Sequence, residues 1–375
     1  ETINLEKNIY ISDNIDNYTP FQNFSFKKNE KFTKIFEIKN TININLTINP
    51  LKIFFIDDKI YSLNKNSNFE VYDLNSEKKI SSYELNYDQK NEFSYPSSIA
   101  HLNNLFYVAY SDGNIICFNS KAEIKWKRKF NDVLKTSIKL HNSNLIILLS
   151  NKIISLNTLD GSINWEFLYE NNNSISIYGG SLISKNHLLY FTLPNGEFGQ
   201  INTIVGEKID SLFSNIGLNT SKFNYVNNIH NFNSAISIFD NNNFLTTIDL
   251  NNNQFLVNKY KITNTTSHLF YNNSIFTLND QRILKVYNIL NNYIFWNIDM
   301  KSYISKNEKI INVINSNDNN LLLFFSNGKI IEINSINGKI TFEYKLNINK
   351  IHSIYNYKNL LIINQLNGKT KILKQ

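Results

Sequence analysis

Few side chains in this sequence have the type and spacing that catalysis or metal binding requires. The single cysteine, Cys117, lies in the apolar run Ile115–Phe118, which predicts a small buried side chain and not a reactive thiol. No two histidines have the H-x-x-x-H or H-E-x-x-H spacing of a zinc site. The six histidines are His101, His141, His187, His230, His268 and His352. We therefore expect no catalytic residue and no metal site.

Three of these histidines recur at similar positions, near the first hairpin of a sequence repeat. They are His101, His141 and His230. A ring of such residues could bind an anion or a metal ion. Duplication of a repeat also recreates a residue at the same position without any function, so we expect ordinary turn histidines that face solvent.

The composition indicates a folded protein with an unusual coding bias. Of 375 residues, 42 % are hydrophobic and 18 % are charged, which is enough apolar surface for a core and too little charge for a disordered chain. Asn makes up about 18 %, and only two of 38 basic residues are Arg, as an AT-rich genome would produce. Because Arg is scarce and the lysines are scattered, the net charge of +7 predicts no nucleic-acid partner. The sequence contains no stretch of 18 apolar residues, so it predicts no membrane-spanning segment.

A repeat of about 44 residues decides the predicted architecture. Its clearest copies begin at Asn157, Asn288 and Asn334, and each joins a polar turn to a strand with an aromatic residue. Looser copies begin at Asp73, Asn119, Asn202 and Asp249. Each copy predicts four short strands separated by Asn, Asp and Gly turns. In the second copy the strands are Ser98–Leu102, Leu105–Tyr110, Asn114–Asn119 and Ile124–Phe130.

The ends of the chain predict how the repeats close. Seven copies precede the tail Ile351–Gln375, which has only three strands. The segment Lys34–Lys39, within Phe32–Lys39, is similar to the outer strand Ile340–Lys345 and could cover the edge that a missing strand leaves open. The sequence therefore predicts an all-β fold, an eight-bladed β-propeller of four-stranded antiparallel blades closed by N- to C-terminal strand pairing. Residues 1–30 would be an irregular lead-in, and 31–375 would form the single propeller domain.

The repeat resembles the PQQ-like repeat of quinoproteins. The segments that carry the resemblance are Asp112–Asn119, Asn327–Asn334 and Leu159–Trp165. Trp126, Trp165 and Trp296 recur at one repeat position, so we expect them to pack between blades. Quinoprotein dehydrogenases are much longer and combine a quinone, a Ca²⁺ ion, an Asp base and an adjacent Cys pair. This chain has one cysteine, and we expect it to bind no cofactor.

Within that superfamily, residues 31–375 resemble the BamB proteins, propeller lipoproteins of the outer-membrane β-barrel assembly (BAM) machine. The local match lies at the entrance of the fourth blade, where the family has a Leu-x-Leu-Arg-Gly segment that contacts the periplasmic repeats of BamA. The resemblance implies a partner-binding site at Ile175, Ile177, Tyr178 and Gly179. Tyr178 stands where the family has Arg. Strand alternation would place Ile175 and Ile177 on one face, which could be either core or a partner contact.

The same resemblance implies a function. It is that of a non-enzymatic scaffold in the periplasm, at the inner face of the outer membrane, which docks the periplasmic (POTRA) repeats of BamA and could hold unfolded outer-membrane clients. A signal peptide and a lipid-attachment cysteine would then precede Glu1 and keep the protein peripheral to the membrane. Two alternatives remain open: a PQQ-dependent or PQQ-derived periplasmic oxidoreductase, and an interaction propeller of another pathway.

Overall fold

The protein, described by a computed structural model, is built of β-strands joined by turns. The described residues are 44–45, 50–64, 66–76, 78–85, 94–169, 180–194, 197–209, 229–232, 235–240, 242–250, 256–262, 265–317, 319–357, 360–367 and 369–374. Their 31 strands form eight antiparallel sheets, and the fold is the predicted eight-bladed β-propeller. Seven sheets have four strands, and the described part of the remaining sheet has three. Nowhere in this part of the chain is there a helix that could cross a membrane.

The chain forms two compact units, of which the first comprises residues 50–259 and contains blades 1 to 4 and most of blade 5. Blade 1 consists of β2 Pro50–Ile56, β3 Lys59–Asn64, β4 Asn68–Asp73 and β5 Lys78–Glu84. Blade 2 consists of β6 Pro96–Leu102, β7 Leu105–Tyr110, β8 Asn114–Asn119 and β9 Ile124–Lys129. Blade 3 consists of β10 Lys139–His141, β11 Asn144–Leu148, β12 Lys152–Asn157 and β13 Ile163–Leu168. Blade 4 has the described strands β14 Ser181–Lys185, β15 Leu188–Thr192 and β16 Phe198–Asn202. Blade 5 consists of β17 Ile229–Phe232, β18 Ala235–Phe239, β19 Phe244–Asp249 and β20 Leu256–Lys261.

The second unit comprises residues 1–49 and 260–375 and contains blades 6 to 8. Blade 6 consists of β21 Thr265–Tyr271, β22 Ser274–Asn279, β23 Ile283–Asn288 and β24 Ile294–Asp299. Blade 7 consists of β25 Ile310–Asn317, β26 Asn320–Phe325, β27 Lys329–Asn334 and β28 Ile340–Lys345. Blade 8 consists of β29 Ile351–Tyr357, β30 Leu360–Gln365, β31 Lys369–Lys374 and β1 Ile44–Asn45.

The polar residue that ends the third strand of a blade builds the turn to the fourth. In blade 3, Asn157 accepts a hydrogen bond at Oδ1 from the Leu159 backbone N–H at 2.8 Å, and Asn334 accepts one from Ile336 at 3.1 Å in blade 7. This side-chain turn leaves the backbone free to reverse direction. Four further repeat starts form the same turn, namely Asp73, Asn119, Asn202 and Asn288. The sequence repeat therefore marks a structural unit.

The middle strands form the core, and in blades 2, 3, 4 and 7 both of their faces pack against neighbouring blades. In β7, Phe106 and Val108 join a cluster with blade 1 residues, whereas Tyr107 and Ala109 join a cluster with blade 3. The predicted burial of Cys117 is confirmed, since the side chain is fully buried in the blade 2 and 3 cluster. Burial raises the pKa of its thiol to about 12, which keeps it protonated and unreactive.

The three tryptophans pack between blades, as predicted. Each Trp on an outer strand lies on a glycine of the next blade's turn and donates its indole N–H to a carbonyl of that turn. The bonds join Trp126 to Thr158 at 3.0 Å, Trp165 to Thr203 at 2.9 Å and Trp296 to Ser335 at 2.9 Å. The glycines beneath the three rings are Gly161, Gly206 and Gly338. One residue type thus fixes the outer edge of one blade to the turn of the next.

The N-terminal part of the chain completes blade 8, and this predicted closure is confirmed. β1 pairs antiparallel with β31, with Ile44 opposite Thr370 and Asn45 opposite Lys369. The strand proposed from the sequence, Lys34–Lys39, lies outside the described residues, and so does the lead-in 1–30. The described pairing therefore begins at Ile44, further along the chain than Phe32–Lys39.

Candidate partner-binding surface

The four residues proposed to bind a partner, Ile175, Ile177, Tyr178 and Gly179, lie outside the described residues. The chain is described up to Tyr169 and again from Gly180. Their role stays a prediction, and the surface around the two flanking residues is the part of this region whose geometry is known.

Both ends of this segment are attached to the body of blades 3 and 4. On the entering side, the Tyr169 backbone N–H donates to Asn151 O at 3.0 Å, and the Tyr169 hydroxyl donates to Leu149 O. On the leaving side, a Cβ on Gly180 would lie 1.9 Å from Thr192 O and 2.8 Å from Leu148 Cδ2. Only glycine fits so close to a neighbouring backbone. The chain is therefore held at defined points on either side of residues 170–179.

The turn Leu149–Asn151 also holds the connection between blades 2 and 3. Its Ser150 backbone N–H donates to Asp132 Oδ2 at 3.1 Å. The same carboxylate lies close to Tyr169, where burial first and the Asp132 charge second raise the pKa of the phenol. One turn thus positions both connections at this end of blade 3.

Two apolar side chains next to these anchors are exposed. Leu168, beside Tyr169, is 70 % exposed, and Val133, beside Asp132, is 51 % exposed. Side chains of this kind, held by half-buried anchors, can be covered by a partner without the cost of ordering a mobile loop. We call Val133 and Leu168 the connection surface.

A second set of exposed apolar side chains lies at the other end of the same blades. These are Leu159, Ile204 and Val205, in the turns that carry the tryptophan-binding carbonyls of blades 3 and 4. β12 runs from Lys152, opposite Leu168, to Asn157, which begins the Leu159 turn. The two ends are therefore separated by a strand of about 17 Å. This distance makes Leu159 a useful reference position for the connection surface.

The histidines differ from the prediction of solvent-facing turn residues. His101 lies within β6, and its ring centroid is 4.7 Å from that of Phe106 and 5.8 Å from that of Phe54. Its Nε2 is buried and has no hydrogen-bond partner. Burial lowers the pKa of His101, which favours the neutral ring. The prediction of a solvent-facing side chain was wrong here because the His101 ring packs against Phe106 and Phe54 of a core cluster.

The sequence also did not predict that His141 and His187 would be neighbours. Nε2 of His141 lies 3.3 Å from Thr203 Oγ1. The pKa of His141 is lowered by burial first and by the nearby His187 ring second, and a backbone hydrogen bond at Asn186 opposes both. Across the described ranges, no three His, Cys, Asp or Glu side chains are placed to hold a metal ion.

Blade 1 contains a buried carboxylate, a kind of side chain that can act as an acid or a base. Glu70 is 4 % exposed, accepts a hydrogen bond from the Tyr72 hydroxyl at 2.9 Å and pairs with Lys79 Nζ at 3.1 Å. Burial and the bond to Glu70 raise the pKa of Tyr72. Both oxygens of Glu70 have partners within its own sheet, so the arrangement satisfies a buried charge.

Comparisons with known proteins establish the fold and leave the family open. No family profile matches the chain, and no curated protein sequence does. Among solved structures, BamB from Moraxella catarrhalis has a TM-score of 0.63 at 10 % identity, with 91 % of this chain and all of that chain covered. Sqt1 from Saccharomyces cerevisiae has a TM-score of 0.63 at 10 % identity over 89 % and 98 % of the two chains. Quinohemoprotein alcohol dehydrogenase from Comamonas testosteroni has a TM-score of 0.62 at 10 % identity over 95 % and 78 %. Because 1637 solved chains match, this similarity is one of propeller fold.

Proposed function

We propose that this propeller is a non-enzymatic scaffold for protein assembly, and that the connection surface binds the periplasmic repeats of BamA at the inner face of the outer membrane. Unfolded outer-membrane proteins would be its clients. The observation that carries the proposal is the pair of exposed apolar side chains, Leu168 and Val133. Leu168 shortly precedes, in sequence, the segment that contains Ile175, Ile177 and Tyr178.

Three features support a binding role for this surface. Leu168 and Val133 expose apolar area that a partner could remove from water. Their neighbours, Tyr169 and Asp132, are fixed to a single turn, so the surface is preorganised. The adjoining segment carries the resemblance to the BamA-contacting segment of BamB proteins, and its Tyr is a residue type that often dominates interface energies.

The experiment measures binding of the purified chain to the cognate BamA periplasmic repeats by calorimetry. We expect Leu168→Asp and Tyr178→Ala each to weaken binding by about tenfold or more, because about 1.4 kcal/mol per tenfold is within the value of one buried apolar side chain. The matched control is Leu159→Asp, which changes an even more exposed leucine, 75 % exposed, at the other end of the blade. The control should bind as the parent does.

Two results would contradict the proposal. If the parent does not bind the repeats at concentrations up to about 100 μM, the BamA assignment is wrong. If Leu168→Asp and Leu159→Asp bind equally well while both remain folded, the surface is wrong. The oxidoreductase alternative has its own measurement: PQQ with Ca²⁺ should leave the melting temperature unchanged, and a clear rise would favour an enzyme because a native-state ligand stabilises the fold.

A further inference from the structure

Five lysines of blades 7 and 8 and of the connection before them lie at one end of the sheets. Lys309 and Lys350 immediately precede the first strands, β25 and β29. Lys345 is the last residue of the outer strand β28, and Lys369 is the first residue of the third strand β31. In antiparallel blades these positions share the end that carries the turn between the second and third strands. Together with Lys306, in the connection from blade 6, they form what we call the basic end.

The five ammonium groups of the basic end are available to a partner. All five side chains are exposed, and within the described part of the chain none of them forms an ion pair or a hydrogen bond. Most acidic side chains at this end already have partners, and Asp280, in the blade 6 turn, is the exposed exception. The partnered ones are Asp299 with Lys301 at 3.3 Å, Glu343 with Lys329 at 2.7 Å, and Glu308 with the Ser326 hydroxyl. The charge left over at this end is therefore positive.

The opposite end of blades 6 and 7 carries little charge. Its described turns include 272–273, 289–293 and 335–339, in which the one charged side chain is Lys339. Both ends are built of exposed, Asn-rich turns, so solvation of the turns alone would favour lysines at either end. The position of the five lysines therefore calls for a reason specific to the basic end.

The backbone of the basic end is held in place by buried side chains and hydrogen bonds. Leu346 and Ile348, in the connection from blade 7 to blade 8, are buried in the cluster between these blades. The Ile351 backbone N–H donates to Ser326 O at 2.9 Å, which ties the start of β29 to the turn of blade 7. The lysines thus project from a preorganised surface, and a partner need not order it on binding.

An exposed leucine adjoins the lysines of blade 8. Leu366, in the turn before β31, is 53 % exposed. Its backbone N–H donates to Lys350 O at 2.8 Å, and Lys369 follows it by three residues. An apolar tip among lysines suits the membrane interface, because the apolar group enters the boundary of the acyl chains while the ammonium groups stay at the headgroups.

We propose that the basic end docks on an anionic lipid surface, with its lysines at the phosphate headgroups and Leu366 inserted between them. Lysines on turn tips match a diffuse layer of negative charge. A fixed carboxylate or phosphate of a protein or nucleic acid is more often held by the planar fork of an arginine. Here Arg282 Nη1 instead donates to the Lys301 and Ile304 carbonyls, at 3.4 and 3.3 Å.

The test measures co-sedimentation of the full chain with lipid vesicles. We expect binding to phosphatidylcholine vesicles that contain about 30 % phosphatidylglycerol, and none to phosphatidylcholine alone. Binding should weaken by about tenfold or more when the ionic strength rises from about 0.05 to 0.5 M, because exposed charges are screened. Neither BamA nor the connection surface takes part, so this test and that of the proposed function can fail separately.

Single charge reversals locate the contact. Lys345→Glu, Lys350→Glu and Lys369→Glu should each weaken binding by about threefold or more, since one lysine near an anionic membrane contributes about fivefold. The matched control is Lys339→Glu, which makes the same change of net charge at the opposite end of blade 7 and should bind as the parent does. If a reversal unfolds the protein, Gln at the same position replaces it and should give a smaller loss.

A second pair of variants tests the apolar tip. Leu366→Ser should weaken binding to the anionic vesicles by about threefold or more, because its side chain no longer enters the interface. Ile336→Ser is the matched control, since Ile336 is 45 % exposed in the turn at the opposite end of blade 7. It should leave binding unchanged.

The proposal is overturned if the anionic vesicles do not bind, or if phosphatidylcholine alone binds equally well. It is also overturned if Lys339→Glu weakens binding as much as Lys350→Glu. Equal or tighter binding of a glutamate-rich peptide or of duplex DNA would show a general anion surface, and the assignment to lipid would then be wrong.

Discussion

Replacement of Gly338 by Ala tests the contact that joins the outer strand of blade 6 to the turn of blade 7. Gly338 has a φ of +71°, and a Cβ there would lie 2.7 Å from Trp296 Cδ2 and 2.9 Å from Cγ and Cε3. The left-handed backbone costs an alanine about 1–2 kcal/mol. Displacing a tryptophan that is only 6 % exposed adds about 1–3 kcal/mol of overpacking. We therefore expect Gly338→Ala to lower the free energy of unfolding by about 2–5 kcal/mol.

A double-mutant cycle with Trp296→Ala separates the two contributions. Trp296→Ala alone should cost about 3–5 kcal/mol, because it removes a buried ring and its bond to Ser335. In that background Gly338→Ala should cost only the backbone part, about 1–2 kcal/mol. The matched control is Asn292→Ala, at the equivalent turn position of blade 6, where φ is already +57° with a side chain present.

The assay is equilibrium unfolding in urea, with the melting temperature as a second readout. For cooperative unfolding of a chain this long, 1 kcal/mol corresponds to only about 1.3 °C, so Gly338→Ala should melt about 3–6 °C lower. If Gly338→Ala costs the same within about 0.5 kcal/mol with and without Trp296, the ring is not the source of the effect. Packing of Trp296 on Gly338 would then not be what joins blade 6 to blade 7.

Two further predictions concern acid stability and closure. His101→Phe should retain stability at pH 7, because the Nε2 it removes has no hydrogen-bond partner, and it should flatten the fall in stability between pH 7 and 5. The sign follows from the lowered pKa of His101 in the folded protein, because the unfolded chain takes up the proton first as the pH falls. Stability is therefore lost as the pH falls through about 6.5, the ordinary value for the unfolded chain. Urea titrations at several pH values measure this slope. Deletion of residues 1–46 removes β1 and should destabilise blade 8 or cause aggregation, while deletion of 1–40 leaves the pairing of Ile44 with Thr370 in place. Equal melting of the two deletions, both well below the parent, would show instead that Lys34–Lys39 contributes to closure.

The sequence predicted the blades well because the repeat encodes local rules. Leu105–Tyr110 and Asn114–Asn119 have the predicted bounds, and the predicted Ser98–Leu102 is observed as Pro96–Leu102. The turn residues determine where such strands end, because the side chain of an Asn at a strand end accepts a hydrogen bond from the backbone N–H two residues later. Contacts between blades are equally regular, which is why the role of the tryptophans could be predicted.

Features that depend on one blade alone were harder to predict. His101 was expected to face solvent, although the predicted strand Ser98–Leu102 contains it, and its ring instead packs against Phe106 on the paired strand. Leu168 was missed, although Phe167, Leu168 and Tyr169 break the strand alternation and so contained a signal. The link of Asp132 and Tyr169 to one turn joins residues from two blade connections, and no repeat pattern encodes it.

The asparagine turns have a consequence for how this fold can be encoded. Among the described residues other than glycine, fifteen have positive φ, and nine of them are Asn, against five glycines with positive φ. Asn tolerates this conformation and its codons are AT-rich, whereas those of glycine are not. Mutational pressure toward A and T can therefore place Asn instead of Gly at many of these positions without changing the path of the backbone. It meets resistance where a tryptophan ring covers the turn and leaves no room for a Cβ, as at Gly161, Gly206 and Gly338. Base composition thus accounts for the many asparagines at these positions, and steric exclusion accounts for the glycines beneath the three tryptophans.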